Sequence, residues 1–202
     1  MYKLFKRCFD LTSSILLLMT IFPLLVVLAV IVRFNLGSPI FFKQERAGKG
    51  MRPFKLIKFR TMANATDSNG KLLPDRDRVT RFGKFLRSTS LDELPELINI
   101  IKGDMSVIGP RPLPMRYNHY YKDEEKDRFN VRMGLVTPDS VDSEPIISWD
   151  KQFEYEANYA RNLTFILDCK IVIGVFRILF KRNKTNYGGY ERMPLDVERS
   201  KK

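Results

Sequence analysis

The longest apolar stretch of the chain lies close to its beginning. Residues 11–32, LTSSILLLMTIFPLLVVLAVIV, contain no charged side chain over 22 positions. A straight helix of that length would be about 33 Å long, enough to cross a bilayer core of about 30 Å. Pro23 lies near its middle, where a proline removes one helical hydrogen bond and favours a kink or a break. The pattern therefore predicts a membrane helix that is interrupted at Pro23.

Basic residues flank this segment on both sides. Lys3, Lys6 and Arg7 precede it. Residues 33–60 hold eight basic residues and one acid, Glu45. Because positive charge stays on the cytoplasmic side, both ends are expected there. A helix bent at Pro23 satisfies this as a re-entrant hairpin, since arms of about 10–12 residues are too short to span. A kinked helix that spans the membrane once is the alternative.

The rest of the chain has the pattern of an α+β, mostly helical domain. Short aromatic runs within 33–62, separated by the turn signal at 48–50, predict a small β-hairpin. Residues 65–80 are polar and are expected to form a loop. The stretch 107–114, VIGPRPLP, contains three prolines and is expected to be a rigid loop. Helical patterns occupy 81–105, with a loop at 88–90, and also 117–129 and 148–162.

The last apolar stretch, 163–180, carries charges that the first one lacks. Lys170 and Arg177 are seven residues apart and so share one helical face. This favours an amphipathic helix at the membrane interface, with a buried core helix as the alternative. The predicted organisation is a re-entrant helix hairpin at 1–36, a cytoplasmic domain on the membrane surface at 37–182, and a polar tail at 183–202.

Composition narrows the chemistry that this domain can perform. The 202 residues include 35 Lys and Arg against 23 Asp and Glu, a net charge of +12, which favours an anionic partner. Cys8 and Cys169 form no disulfide framework, as in proteins of reducing compartments. His119 is the only histidine, so a histidine-based zinc site or a histidine triad is disfavoured. A metal would have to bind carboxylates and phosphates, which indicates Mg²⁺.

The most suggestive short motif is SLDELPELIN, residues 90–99. Ser90 and Glu93 have the spacing of a capping box, in which the acids would only stabilise a helix start. If the helix begins at Asp92 instead, Pro95 occupies its third position and costs no backbone bond. Asp92 would then lie at the mouth of the helix with its carboxylate partly free. The sequence leaves both arrangements open.

Two arginines in this part of the chain could accompany the acids. Arg87 lies five residues before Asp92, and Arg111 lies in the proline-rich loop. An arginine fork matches phosphate oxygens, and a rigid loop holds it without an ordering cost in every turnover. Carboxylates, arginines and a hard metal together describe a phosphoryl-transfer site, in which an aspartate can act as the nucleophile.

Several long motifs together resemble the bacterial sugar transferase family, the small monotopic phosphoglycosyl transferases. They are FKRCFD before the apolar segment, GSPIFFKQERAGKG, FKLIKFRTM, LRSTSLDELPELINIIKGDMSVIGPRP and ISWD, in the family's order over about residues 1–182. The resemblance implies a Mg²⁺-dependent enzyme on the cytoplasmic face of the bacterial inner membrane. Such an enzyme transfers a sugar-1-phosphate from a UDP-sugar to polyprenol (undecaprenyl) phosphate and releases UMP.

The resemblance also implies roles for individual residues. Asp92 matches the family's nucleophile and magnesium ligand, with Glu93 as its partner in an acid dyad. Arg87 and Arg111 match the arginines that contact phosphate, and Lys58 matches the basic residue of the family's KF[KR][ST]M stretch. Transfer would pass through a phosphosugar bound covalently to Asp92, in the first membrane step of a surface-glycan pathway.

One loop departs from the family pattern. Where the family reads approximately PGITGWAQVNGR, this chain reads MGLVTPDSVDSE at 133–144, which keeps Gly134 but lacks the Trp-Ala-Gln element. Asp139, Asp142 and Glu144 bring three acids to the donor end of the site, and Glu144 replaces the family's arginine. These acids either face solvent or bind a cation on the sugar, and the second hypothesis predicts an amino-deoxysugar donor contacted by Asp142 or Glu144.

Two other functions compete with the enzyme. The altered loop would suit a catalytically inactive scaffold of the same family, but the intact acid dyad and both arginines favour activity. The net charge would suit a membrane-tethered nucleic-acid-binding protein. Much of that charge lies at 33–60 beside the apolar segment, however, as expected for contact with anionic membrane lipids. We therefore expect no nucleic-acid partner.

Overall fold

A computed structural model describes residues 1–141, 148–181 and 192–200. The helices are α1 (Tyr2–Leu36), α2 (Asp75–Arg78), α3 (Arg81–Thr89), α4 (Glu96–Lys102), α5 (Trp149–Arg161), α6 (Phe165–Lys181) and α7 (Leu195–Arg199). The strands are β1 (Phe41–Ala47), β2 (Pro53–Phe59), β3 (Met105–Ile108) and β4 (Met133–Val136). This agrees with the predicted class, mostly helical with a small hairpin and a long apolar N-terminal helix.

The N-terminal helix differs from the prediction in one respect. A kink or a break was predicted at Pro23, and helix α1, which is 35 residues long, continues through Pro23 without a break. A proline removes one bond of the helical ladder, and the bonds on either side of it can persist. Among the described residues, α1 is the one helix long and apolar enough to cross a membrane, and only 11% of its most apolar 18-residue window is buried.

The first half of α1 is fastened to the domain by polar contacts. The guanidinium of Arg7 donates to the carbonyl oxygens of Ile100 and Ile101, at 2.6 and 3.0 Å, and so caps the C-terminal end of α4. The buried carboxylate of Asp10 accepts from the Ser106 hydroxyl at 2.6 Å and from the backbone amide of Val107 at 3.1 Å. Both contacts tie the start of α1 to β3 and α4.

The second half of α1 packs against the same domain through apolar side chains. Leu28 and Val32 are buried in a cluster with Phe59 of β2 and Leu86 of α3. The two ends of this apolar helix therefore contact one domain, although Pro23 separates them.

The predicted hairpin is present and its turn lies where the glycines predicted it. Strands β1 and β2 pair antiparallel, with Phe41 opposite Phe59 and Ala47 opposite Pro53. A 3₁₀ turn at Lys49–Met51 joins them, and Gly50 adopts a positive φ of 64°. A residue without a Cβ adopts this left-handed conformation without strain, which explains the glycine.

The second sheet was not predicted. Strands β3 and β4 pair in parallel, with Ser106 opposite Gly134. Each strand has only four residues, too few to show a hydrophobic period in the sequence. Their pairing brings the loop that follows β3, which contains Arg111, next to the start of the unusual loop that follows β4.

The prediction of one charged helix at 117–129 is wrong. The structure has two 3₁₀ segments, Met115–Tyr120 and Asp123–Asn130, separated by extended backbone at Tyr121 and Lys122. Tertiary contacts override the local helical tendency here. The Tyr121 ring is buried in the core, and the Glu125 carboxylate accepts the Lys122 amide at 2.8 Å. The next predicted helix is confirmed as α5, which is capped by Ser148.

Helix α6 is buried on one side and exposed on others. Ile171 is fully buried against the domain, whereas Phe165, Ile173 and Phe176 are exposed on other faces. Beyond it, the described part of the predicted polar tail is folded onto the domain. Leu195 of α7 is fully buried in the core, and Arg199 bonds to the Glu125 carboxylate at 2.6 Å.

Candidate active site

The first residues of the motif SLDELPELIN, 90–95, form a turn between α3 and α4. Its last residues, 96–99, belong to α4. Helix α3 ends at Thr89, Ser90 adopts a left-handed φ of 58°, and Leu91–Glu93 form a 3₁₀ turn. The Ser90 side chain makes no capping bond, and the Glu93 amide bonds to the Ser90 carbonyl oxygen at 3.2 Å. The capping-box interpretation is therefore wrong.

Pro95 acts as a start signal for the second helix. It takes the N-cap position immediately before α4, so no helical hydrogen bond is lost there. This is close to the alternative in which the acids precede the helix, although Asp92 lies one turn further from its start than expected. The turn holds both acids in a short, tightly bonded segment between two helices.

Asp92 is the more buried acid of the pair. It is 8% exposed, and burial raises the pKa of its carboxyl. The nearby Lys58 ammonium opposes that effect, Glu93 adds to it, and Arg87 opposes it more weakly. A buried carboxylate with few water contacts is a stronger nucleophile than a solvated one, provided that cations keep it ionised.

Lys58 on β2 links the acid dyad to a third carboxylate. Its ammonium lies 2.6 Å from Glu93 Oε1 and 3.0 Å from Glu96 Oε1. Glu96, on the first turn of α4, was missed from the sequence, although it follows Pro95 directly. It is 3% exposed, and burial raises its pKa to about 7, opposed by Lys58 and assisted by Glu93.

Arg111 lies close to the group formed by Lys58, Glu93 and Glu96. Its guanidinium is 55% exposed and lies 3.8 Å from Glu93 Oε1. A cavity of about 50 Å³ lies between these side chains. The charged residues that line it are Arg46, Lys58, Glu93, Glu96 and Arg111, and Gly134 and Leu135 of β4 also line it. Asp92 borders this group through Lys58 and does not line the cavity itself.

The other predicted site residues lie around this group or outside the described part of the chain. Arg87 is exposed at the end of α3, and its Nε donates to Thr61 at 2.9 Å. Arg46, which was not predicted, has a lowered pKa because it is buried and because Arg111 is close. Asp142 and Glu144 lie outside the described residues, whereas Asp139 lies in a 3₁₀ turn after β4.

The family model for bacterial sugar transferases matches residues 1–182. The chain belongs to this family. It is 42% identical over 190 residues to a Bacillus subtilis protein named "uncharacterized sugar transferase EpsL", covering 93% of this chain and 94% of that protein. The family model covers every site residue discussed above.

Two larger relatives carry more specific names. A Klebsiella pneumoniae UDP-glucose:undecaprenyl-phosphate glucose-1-phosphate transferase is 35% identical over 91% of this chain and 41% of its own length. An Aeromonas hydrophila UDP-N-acetylgalactosamine-undecaprenyl-phosphate N-acetylgalactosaminephosphotransferase is 33% identical over 88% of this chain and 44% of its own length. This sugar transferase thus spans less than half the length of these two relatives, and they differ in donor sugar.

The described carboxylates of this sugar transferase do not form a metal site by themselves. Within residues 1–141, 148–181 and 192–200, no three His, Cys, Asp or Glu side chains are arranged to hold a metal ion. Glu93 and Glu96 already pair with Lys58, which leaves Asp92 as the available hard oxygen ligand. Mg²⁺ is commonly held by one or two carboxylates together with substrate phosphates, and this donor set fits that mode.

Replacing Glu96 with Gln is expected to make the stability of the transferase less dependent on pH. A carboxyl whose pKa rises from 4.5 to about 7 on folding stabilises the fold below pH 4.5. That contribution is lost as the pH rises towards 7, because the unfolded chain releases its proton first. Relative to wild type, the free energy of unfolding of Glu96→Gln should be higher at pH 8 than at pH 5 by about 2 kcal/mol. Melting temperatures in detergent at both pH values test this, and a constant difference would contradict it.

Proposed function

We propose that this sugar transferase moves a sugar-1-phosphate from a UDP-sugar to polyprenol phosphate, with Asp92 as the nucleophile. The observation that carries the proposal is a buried aspartate, fixed in a turn beside the Lys58, Glu93 and Arg111 group. The names of the relatives support the reaction class, because each of the two longer ones is named for transfer to undecaprenyl phosphate.

The proposed reaction has two phosphoryl-transfer steps. A carboxylate oxygen of Asp92 attacks the phosphorus that carries the sugar, and the bond from that phosphorus to the UMP oxygen breaks, so UMP leaves. An oxygen of polyprenol phosphate then attacks the same phosphorus and displaces the Asp92 carboxylate. The product is a polyprenyl diphosphate sugar, and the enzyme returns to its starting state.

The charged neighbours have distinct tasks in this scheme. Lys58 opposes, through its charge, the rise that burial causes in the pKa of Asp92 and of Glu96, and it holds Glu93 in place. Arg111 is exposed to the cavity and is suited to the oxygens of the diphosphate. Arg87 is suited to the same task on the side of α3. Mg²⁺ bound to Asp92 and to the diphosphate would neutralise charge on the departing UMP.

The position of α1 supports a monotopic arrangement on the cytoplasmic face of the bacterial inner membrane. Arg7 near its start and Val32 near its end contact the same domain. A helix that crosses the bilayer places its ends on opposite faces, which these contacts disfavour. The exposed apolar side chains of α1 and α6 would then rest among lipids on one side of the membrane.

Single-cysteine labelling tests this topology. In a variant without Cys8 and Cys169, Lys3→Cys and Lys43→Cys should react with a membrane-impermeant maleimide only after lysis, because both ends of α1 face the cytoplasm. Asn69→Cys, on an exposed loop of the domain, is the matched control for cytoplasmic exposure. Reaction of the cysteine at position 3 in spheroplasts with an intact inner membrane would show that the helix spans.

For the donor, we propose a UDP-linked amino-deoxysugar with a free ammonium group. Support comes from the three acids at 139–144, which follow β4, since Gly134 and Leu135 of that strand line the cavity. Acids near a diphosphate repel it, so their presence is explained if one of them binds a cation on the sugar. A charge-assisted bond would also discriminate against the N-acetylated sugar, which has no charge to offer.

A donor screen tests the reaction and the donor together. Purified protein, Mg²⁺ and polyprenol phosphate should release UMP from a free-amine UDP-sugar at least about 10-fold faster than from its N-acetylated form, as expected for a charge-assisted bond. Glu144→Gln or Asp142→Asn should remove that preference. Better use of the acetylated donor would refute the amino-sugar proposal and leave the enzyme proposal intact. Absence of UMP release from every donor would favour the scaffold alternative.

A further inference from the structure

A fully buried ion pair lies directly behind the loop that carries Arg111. The Arg128 guanidinium and the Glu156 carboxylate meet at 2.7 Å, and both side chains are 0% exposed. Arg128 lies in the 3₁₀ segment Asp123–Asn130, and Glu156 lies in the middle of α5. Burying two charges costs a large desolvation energy, and apolar residues of the same volume are often as stabilising. Stability alone therefore does not account well for the pair.

Both members of the pair bond to the backbone of Arg111. Glu156 Oε1 accepts the Arg111 amide at 2.9 Å, and Arg128 Nη2 donates to the Arg111 carbonyl oxygen at 2.6 Å. The residue is thus held by its amide and by its carbonyl, each through a charged partner. Pro110 and Pro112 on either side have fixed φ angles and no amide hydrogen to offer.

The surroundings fix the pair itself. Glu156 Oε1 also accepts from Gln152 Nε2 at 3.0 Å, and Arg128 Nη1 donates to the Tyr121 hydroxyl at 3.1 Å. The Arg128 guanidinium lies 4.9 Å from the centre of the Phe129 ring. These contacts leave the two side chains little freedom, so the backbone of Arg111 is set by a rigid frame while its side chain stays free to meet a ligand.

We infer that Arg128 and Glu156 are positioning residues, which aim the Arg111 side chain at the substrate phosphates without touching them. The inference rests on the proposed function of Arg111. A hydrogen bond to a charged group is stronger and shorter than a neutral one, so a charged pair defines one position of the Arg111 backbone more sharply than neutral partners would. A displacement of a reacting group by about 1 Å can lower the rate about 100-fold, so a fixed position of Arg111 should raise the rate.

A double-mutant cycle distinguishes positioning from plain stabilisation. Glu156→Gln should lower kcat/KM for UMP release by about 10-fold or more in the wild-type background. In the Arg111→Ala background the same change should cost less than about 3-fold, because the side chain that it positions is absent. An equal loss in both backgrounds would overturn the inference.

The chain offers a matched control for this cycle. Glu125 is also a buried acid, paired with Arg199 at 2.6 Å, and none of its described contacts reaches Arg111. Glu125→Gln should change kcat/KM by the same factor in both backgrounds. If Glu156→Gln does not accumulate as folded protein, the double variant Arg128→Met, Glu156→Leu replaces it, since it leaves no unpaired buried charge.

A second readout does not depend on any donor. Amide hydrogen exchange in peptides covering 109–114 should become at least about 10-fold faster in the double variant Arg128→Met, Glu156→Leu and remain unchanged in Glu125→Gln, because only the double variant loses both bonds to the Arg111 backbone. Unchanged exchange in the double variant would overturn the inference. If the wild type releases no UMP from any donor, the proposed function is refuted, and faster exchange in the double variant would still support the part of the inference that concerns the Arg111 backbone.

Discussion

Asp92→Asn is expected to abolish sugar-phosphate transfer while leaving the protein folded. The amide keeps the shape of the side chain but cannot attack phosphorus, so the rate of UMP release should fall by about three orders of magnitude or more. Because burial already disfavours the charged form of Asp92, a neutral side chain should be accommodated without loss of stability. UMP release and melting temperature, measured on the same preparation, test both parts.

The comparison needs two further variants. Glu93→Gln should also lose most activity, because it weakens the contacts of Glu93 with Lys58 and Arg111. Asp123→Asn, on an exposed 3₁₀ segment where the acid pairs only with Lys126 among its described contacts, should keep full activity. Substantial turnover by Asp92→Asn would exclude Asp92 as the nucleophile.

Gly134→Ala is expected to disrupt the site from the side of the second sheet. A Cβ at this position would lie 2.6 Å from Gly109 Cα and still closer to the Gly109 amide nitrogen. Both are backbone atoms, so the strands have to separate, and overpacking of this kind costs about 3 kcal/mol. Since Gly109 begins the loop that carries Arg111, we expect transfer activity to fall together with the melting temperature.

Gly70→Ala is the control for this substitution. Gly70 has a positive φ of 76°, and no atom lies within 4 Å of a Cβ built there, so only the conformational cost of about 1 kcal/mol should appear. Activity should not change, because the described hydrogen bonds of the turn at 67–71 are local and do not reach Asp92 or Glu93. Equal effects of the two substitutions would show that the close approach of Gly109 and Gly134 is unimportant.

Local signals in the sequence were sufficient where short-range geometry decides the structure. The glycines at 48–50 predicted the hairpin turn, and the helical pattern at 148–162 predicted α5. The acids of the 90–99 motif were recognised, but their local structure was not, since Ser90 closes the preceding helix in a left-handed conformation. A capping box and this arrangement have the same residue types at the same spacing.

Features that depend on distant contacts were not predictable. The parallel pairing of β3 with β4 joins two four-residue strands that are 24 residues apart in sequence, and neither strand has a distinctive pattern. Glu156 and Arg128 resemble ordinary charged residues of an exposed helix until α5 is packed against the loop of Arg111. Glu96 is the exception, because an acid directly after Pro95 could have been assigned to the site.

Quenched-flow mass spectrometry of the peptide that contains Asp92 tests the central claim most directly. The enzyme is mixed with Mg²⁺ and the UDP-sugar selected by the donor screen, without polyprenol phosphate, and is then digested. We predict one UMP released per enzyme and a sugar-phosphate mass on Asp92, which disappears when polyprenol phosphate is added. UMP release that requires polyprenol phosphate, with no mass added to that peptide, would show direct transfer and contradict the covalent mechanism.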